Sequence, residues 1–494
     1  MASYQDLTAG SFGTFLESTK EVGYVEAFEH PIIKIRGLPN AKPWELLVFE
    51  GGGIGQVNTL ADELISSVSF SANPPLLNER VVRTGHTLEI GMGPGLLGRV
   101  VDPLGKSVYQ QLDELIIEEY RNVESPAPGI DKRAKINQFF ETGVAIVDML
   151  IPLGKGQREL IIGDRKTGKT DFLLQTMLNQ TRKGTLCIYA AIGKTAIDVK
   201  RVEEYFDQMK IRQNCVIVVS YASDPSAIVY LTPFTAMAMA EYFMHTGRDV
   251  LLILDDLTDH AKYYREMSLI AGKFPGRSSY PADIFYTHSR LLERAGYFKT
   301  EKGINSITCL PVAETNQGDI SGYVQTNLMS ITDGHIFLDE ELFVQGIRPA
   351  VNYSLSVTRV GRQTQNKLKW SVGRELTSFL SLLEKTQSFV HFGAEINEGI
   401  KSTLAMGEKL IYGFFSQNID KVLETNLQLI LFTLIWSQSL KTKTTEDLVK
   451  QCELVINRYH TDEKYQKTID DMIAACDDLN KLLGQVSSRQ HDLL

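Results

Sequence analysis

The sequence lacks any pairing pattern among its cysteines: the five, Cys187, Cys215, Cys309, Cys452 and Cys476, are odd in number, widely spaced and without a C-x-x-C. Neither a disulfide framework nor a zinc site is expected, and reduced, buried thiols in a cytosolic chain are the preferred reading. The opening MASYQDLT has no charged-then-apolar leader. The longest apolar run, residues 427–436, is interrupted by Gln428 and Thr433 and is about half a membrane span, so it reads as helix core in a chain that does not cross a membrane by itself. An excess of basic charge is missing too: 51 Lys+Arg against 60 Asp+Glu leave a net charge of −9, which argues against nucleic acid as a partner. No repeat or biased tract is present. Proline is absent after Pro349 and glycine is sparse there, which favours a helical C-terminal domain.

What is there is an ordinary globular composition in a chain too long for one core: 494 residues with 43% hydrophobic side chains call for two or three domains. Residues 1–22 form a short N-terminal arm, in which Gly10 and Gly13 discourage an amphipathic helix. In residues 23–95, short alternating pieces (32–35, 45–49, 66–70) are punctuated by Gly, Pro and Asn, the pattern of a β-barrel or sandwich. In residues 96–375, apolar strands (159–162, 185–189, 215–219, 250–254) alternate with helical stretches and indicate a mostly parallel sheet covered on both faces. Residues 376–494 read as the helical domain, with an amphipathic pattern over 445–483.

The chemistry concentrates in Gly163-Asp164-Arg165-Lys166-Thr167-Gly168-Lys169-Thr170, a G-x-x-x-x-G-K-[ST] loop between an apolar strand and a helical run. Glycines let backbone N–H groups curl around phosphate oxygens, and the helix N-terminus adds a favourable dipole. Lys169 is expected to neutralise the β- and γ-phosphates of ATP or ADP, and the Thr170 hydroxyl to ligate magnesium. The apolar strand 250–254 runs into Asp255 and Asp256. Asp255 is expected to reach magnesium, directly or through water, although acidic residues also end strands for structural reasons.

Read together, the loop, Asp255-Asp256-Leu257-Thr258, Phe274-Pro275-Gly276-Arg277, FYTHSRLLER at 285–294, SITDG at 330–334, GIRPA at 346–350 and SVTRVG at 356–361 resemble the α subunit of F-type ATP synthases. The resemblance runs from about residue 23 to at least 440. It implies a multidomain α/β chain: an N-terminal β-barrel, a RecA-like P-loop domain with a mostly parallel sheet and a C-terminal helical domain. It also implies alternation with β-type catalytic subunits in a hexamer around a γ-type shaft, and a location peripheral to the cell membrane through partner subunits. Arg359, which by spacing alone reads as a strand-end ion-pair residue, matches the arginine that the family projects into the neighbouring catalytic site. Glu314 and Ser330 match positions close to nucleotide, Arg348 and Pro349 match a segment packing on the adenine, and Gln417 lies in a degraded second adenine loop, Phe415-Ser416-Gln417-Asn418.

One position speaks to chemistry directly. Hydrolysis needs a residue that activates the attacking water, and catalytic β-type subunits carry Glu after the glycine that ends the second core strand. Here Tyr189-Ala190-Ala191-Ile192-Gly193-Lys194 puts a lysine there, where the α subunit usually has Gln. An ammonium cannot accept a proton, so this chain's own site is expected to be inert or very slow. Lys194 either pairs with a phosphate oxygen or is a solvated loop lysine, and Lys166 adds a second positive charge to the loop. The departures leave two uses open, an ordinary synthase or a specialised F-type-like ATPase of the kind some wall-less bacteria carry, driving a membrane-associated process such as motility. An autonomous NTPase and a Rho-like translocase are the competing classes; the first needs a catalytic carboxylate and the second a basic barrel as well.

Overall fold

A computed structural model describes residues 11–61, 64–71, 73, 75–109, 116–391, 397–437 and 444–493. They fall into two compact units: Met1–Ala134, Gly184–Glu314 and Asp319–Thr332 belong to the first, and Lys135–Lys183, Thr315–Gly318 and Asp333–Leu494 to the second. The segment expected to be one nucleotide domain therefore contributes strands to both.

In the first unit, six strands close into an antiparallel barrel in the order Gly23–Glu29, Ile32–Arg36, Ile65–Ser69, Ile54–Leu60, Glu45–Phe49 and Arg80–Thr87. Alternation supplies the inner face, with Val25, Ile33, Leu47, Val57 and Val81 forming its core. Closure leaves no open strand edge. The arm departs from expectation: Ser11–Thr19 is helical. A Cβ at Gly13 would meet nothing, while Phe12 is buried with the Arg80 guanidinium 5.5 Å from its ring centroid. Packing outweighs the glycine penalty.

The same unit holds parallel strands in the order Gly303–Glu314, Val250–Asp255, Leu186–Lys194, Cys215–Tyr221 and Val100–Val101, with Gly296–Thr300 antiparallel to the first. Their apolar sequences are those of strands buried on both faces. Ser226–His245 packs against several of them and is long and apolar enough to cross a membrane by composition, yet 94% of that stretch is buried in the fold. Arg294, only 1% exposed, holds Glu241 of that helix with two hydrogen bonds of 2.8 Å each and donates a third, 2.8 Å, to the Val123 carbonyl.

In the second unit, Glu159–Gly163 runs parallel to Gly334–Leu338, and Val357–Thr358 lies antiparallel on the other side of Gly334–Leu338. The helical region starts earlier than residue 375, which falls inside the helix Lys367–His391. Thr425–Trp436, the apolar run singled out from sequence, is a buried helix. Its two polar exceptions are satisfied locally: Gln428 donates to Asp148 at 2.8 Å and to the Leu423 carbonyl at 2.7 Å, and Thr433 donates to the Leu429 carbonyl at 2.7 Å. The amphipathic stretch divides into Thr445–Thr461, Glu463–Ala474 and Leu479–Ser488, each with its N-cap side chain, Thr444, Asp462 or Asp478, accepting a backbone N–H.

Candidate functional site

The second unit carries the loop. The strand Glu159–Gly163 ends where the Leu338 carbonyl would lie 2.3 Å from a Cβ on Gly163, so only glycine fits that close approach. Gly168 turns the chain at φ +90° into the helix Lys169–Arg182. Asp164 anchors the loop from below: it accepts the Thr315 hydroxyl on one oxygen and the Gly318 N–H, 2.8 Å, on the other. Thr167 donates to the Asp164 carbonyl at 2.8 Å. The Lys169 ammonium rests on the Gly163 and Asp164 carbonyls at 2.8 and 2.6 Å, so it is held at the mouth of the loop in place of being buried bare. Arg165 and Lys166 are exposed, and Thr170 is the second residue of the helix.

Distant residues gather beside this loop within the same unit. Phe343, which sequence reasoning missed, lies 3.6 Å from where a Gly168 Cβ would sit, and the Arg348 guanidinium stacks 3.4 Å from its ring centroid. Arg348 also donates to the Phe343 and Ile347 carbonyls at 2.6 and 2.8 Å, and its own carbonyl accepts the Gln417 N–H at 2.7 Å. Pro349 follows directly. The Gln417 amide is consumed by the fold: its oxygen accepts the Ala145 N–H at 2.7 Å and its nitrogen donates to the Gly143 carbonyl at 3.0 Å. That is a structural duty, and the signal for it, a buried amide facing backbone from residues far away in sequence, does not exist in one dimension.

Arg359 follows the edge strand Val357–Thr358 and is exposed. Its N–H donates to the Asp333 carbonyl at 3.0 Å, while the Asp333 carboxylate is gripped by Arg158 through its backbone N–H at 2.9 Å, Nε at 3.1 Å and Nη2 at 2.8 Å. Close by, Glu159 is fully buried; burial pushes its carboxyl well above the usual range, with Gln157 donating to one oxygen at 2.7 Å. The backbone of Arg359 is thus fixed, and its charge is felt by the buried Glu159 carboxyl.

The first unit carries a second cluster. Asp255 ends the strand Val250–Asp255, and Asp256 begins the helix Leu257–Ile270 as its N-cap, accepting the Asp259 N–H at 2.7 Å. Lys194 ends the neighbouring strand, and its ammonium lies 2.8 Å from Asp255 Oδ1 and 3.2 Å from Asp256 Oδ2. Burial opposes a charged amine, but the two carboxylates outweigh it and hold Lys194 above the ordinary lysine range. Asp256 is pushed up to about 6 by burial, with Lys194 pulling the other way. Tyr189, two residues before Ala191 and on the same face of the strand, donates its hydroxyl to the other Asp255 oxygen. Glu314 donates its N–H to the Thr258 hydroxyl at 2.9 Å and accepts Gln325 on its carbonyl. Its carboxylate groups with Asp256 and Asp259, one oxygen of each within 4.8 Å of the others, and Lys262 pairs with Asp259 at 2.6 Å. Ser330 donates its hydroxyl to the Asn327 carbonyl at 2.7 Å.

Thr170 is the second residue of its helix, as metal ligation requires, and Asp255 receives Lys194 on one oxygen and Tyr189 on the other, each oxygen keeping a second lone pair. Lys194, expected on a phosphate or in solvent, is engaged with carboxylates and is only 18% exposed in its side chain.

A glycine-lined loop between a parallel strand and a helix, with Lys and Thr opening that helix, defines the class: a P-loop α/β protein. The ATP synthase alpha/beta family, nucleotide-binding domain, matches residues 143–358. ATP synthase subunit alpha of Caldanaerobacter subterraneus subsp. tengcongensis is 43% identical over 399 residues, 80% of this chain and 78% of that one. ATP synthase subunit alpha 2 of Syntrophus aciditrophicus is 41% identical over 79% of this chain and 75% of its own, and ATP synthase subunit alpha of Rickettsia bellii is 41% identical over 80% and 79%. The chain belongs to the ATP synthase alpha/beta family, as an α-type subunit of F-type ATPases.

Proposed function

We propose that this chain is a non-catalytic, nucleotide-binding α-type subunit of a rotary F-type-like ATPase. It binds ATP or ADP on the loop 163–170, with Lys169 on the phosphates, and alternates with β-type catalytic subunits around a γ-type shaft. The observation that carries the reading is Lys194: where hydrolysis needs a water-activating carboxylate, the strand ends in an ammonium bound to Asp255 and Asp256. The catalytic contribution of the chain is Arg359, offered in trans. Its exposure beyond an edge strand, on a backbone pinned to Asp333, suits a group that stabilises charge on a phosphoryl being transferred in the next subunit. The assembly sits in the cytoplasm, peripheral to the membrane through other subunits, and the departures at Lys194 and Lys166 favour a specialised task, such as driving motility, over synthesis.

The test is reconstitution with the β-type partner. The chain alone is expected to bind nucleotide without turnover, and the complex to hydrolyse ATP. Arg359→Ala is expected to cut turnover of the complex by about a thousandfold with assembly intact. Robust hydrolysis by the isolated chain, or full turnover of the Arg359→Ala complex, rejects the assignment.

A further inference from the structure

Adenine carries an amino donor where guanine carries a carbonyl acceptor. A site that selects adenine therefore aims an acceptor at that amino group, and that acceptor is left unpaired when the other purine arrives. In the second unit, the two segments that gather beside the loop 163–170 commit their acceptors to the protein itself. The Gly143 carbonyl accepts Gln417 Nε2 at 3.0 Å and the Leu423 N–H at 3.0 Å. The Lys421 carbonyl accepts Gln417 Nε2 at 3.3 Å and Gln175 Nε2 at 2.5 Å. The Asn418 carbonyl accepts Gln175 Nε2 at 3.2 Å and the Lys421 N–H at 3.0 Å. The Phe343 carbonyl accepts Arg348 Nη1 at 2.6 Å and the Gly346 N–H at 3.1 Å. Each of these four oxygens carries two donors, one for each lone pair.

The side-chain amides are committed in the same way. Gln417, 7% exposed, places both Nε2 hydrogens on Gly143 and Lys421 and holds the Ala145 N–H on its Oε1 at 2.7 Å. Gln175, on the helix Lys169–Arg182 and 2% exposed, places both of its own on Asn418 and Lys421. Turning either amide towards a base strips donors from buried carbonyls, which costs more than one base contact returns. Ser416 and Asn418 are exposed, and each of their side chains both donates and accepts, so they suit either purine edge. The Phe343 ring, 3.6 Å from a Cβ on Gly168, is backed by the Arg348 guanidinium at 3.4 Å from its centroid, and a ring face receives any base.

We infer that the site on loop 163–170 is indifferent to the base, so that this chain takes guanosine di- and triphosphates as readily as the adenosine ones. The inference rests on the nucleotide-binding reading above and widens its ligand from ATP or ADP to purine nucleotides as a class. Occupancy of the site then follows the pooled purine nucleotides and not ATP alone.

The experiment is equilibrium displacement of a ribose-labelled fluorescent ATP from the full chain, in magnesium, by unlabelled ATP and by GTP. The two Kd values are expected to lie within about tenfold of each other; GTP weaker than ATP by more than that overturns the inference and leaves the nucleotide-binding reading standing. Gln417→Met, which keeps the volume and removes the amide, is expected to lower the thermal midpoint while the GTP-to-ATP ratio of Kd stays within about threefold of wild type. Asn418→Ala is expected to leave that ratio within the same limit. A larger change of the ratio in either variant means that the side chain reads the base, and overturns the inference. The wild-type comparison decides even if the Met variant fails to fold. Failure of the labelled ATP to bind overturns the underlying reading, and this inference with it.

Discussion

Acid is expected to destabilise the first unit through a histidine pair that neither the loop nor the carboxylates explain. His260, on the helix that begins just after Asp256, points Nδ1 at His288 Nε2 across 3.1 Å and Nε2 at the Tyr230 carbonyl across 3.1 Å. A carbonyl only accepts, so His260 Nε2 carries a proton; its Nδ1 is then an acceptor, and His288 Nε2 must be the donor. Protonating His260 puts its Nδ1–H face to face with the His288 Nε2–H, and charging either ring is opposed by burial of both residues. Burial holds His260 down to about 4 and His288 well below 6.5, with each other's presence adding to the second. The direction follows: the unfolded chain binds protons near 6.5 and the fold does not, so stability is fully present above that value and is lost as pH falls towards 4. For His260 alone the lost stability between pH 7.5 and pH 5 is about 2 kcal/mol. Urea unfolding of wild type and His260→Gln at both pH values measures the pair's contribution, because Gln can bridge His288 and Tyr230 without charging. The variant is expected to lose about 2 kcal/mol less than wild type on acidification. Equal losses in the two proteins would refute the assignment of neutral, mutually bonded rings.

Two further perturbations follow from single contacts. Arg294→Met strands the Glu241 carboxylate and the Val123 carbonyl in the interior and is expected to cost about 3–5 kcal/mol in urea unfolding, with the paired replacement Arg294→Met, Glu241→Gln recovering part of it; a cost below about 1 kcal/mol removes the pair from the core's essentials. Gly193→Ala places a side chain at positive φ against Tyr263 and is expected to cost at least about 1–2 kcal/mol in urea unfolding; a stability equal to wild type contradicts the strain assigned to that position.

The sequence carried the local devices because they depend on neighbours in the chain. Alternation announced the barrel strands, unbroken apolar runs the parallel ones, and the glycine spacing of 163–170 the loop, each set by backbone geometry within a few residues. It also placed a lysine where hydrolysis needs a carboxylate, although what keeps that lysine an ammonium, and so no base, is its contact with Asp255 and Asp256 in the fold. Where local propensity competed with packing, the reading failed: Ser11–Thr19 is helical because Phe12 finds a place on the barrel, a contact with strand residues some seventy positions away.

What only the tertiary structure decided is the partner of each functional side chain. Lys194 and Asp255 are 61 positions apart, and nothing in either segment says that adjacent parallel strands set an ammonium on that carboxylate and not on a phosphate. Gln417 lies in a segment matched to nucleotide contact, yet the fold spends its amide on Gly143 and Ala145. His260 and His288 read as unremarked residues on two helices until they meet ring to ring. The physical reason is the same in each case: a side chain's chemistry is fixed by its type, but its charge state, its hydrogen bonds and therefore its role depend on distances that the chain closes only when it folds.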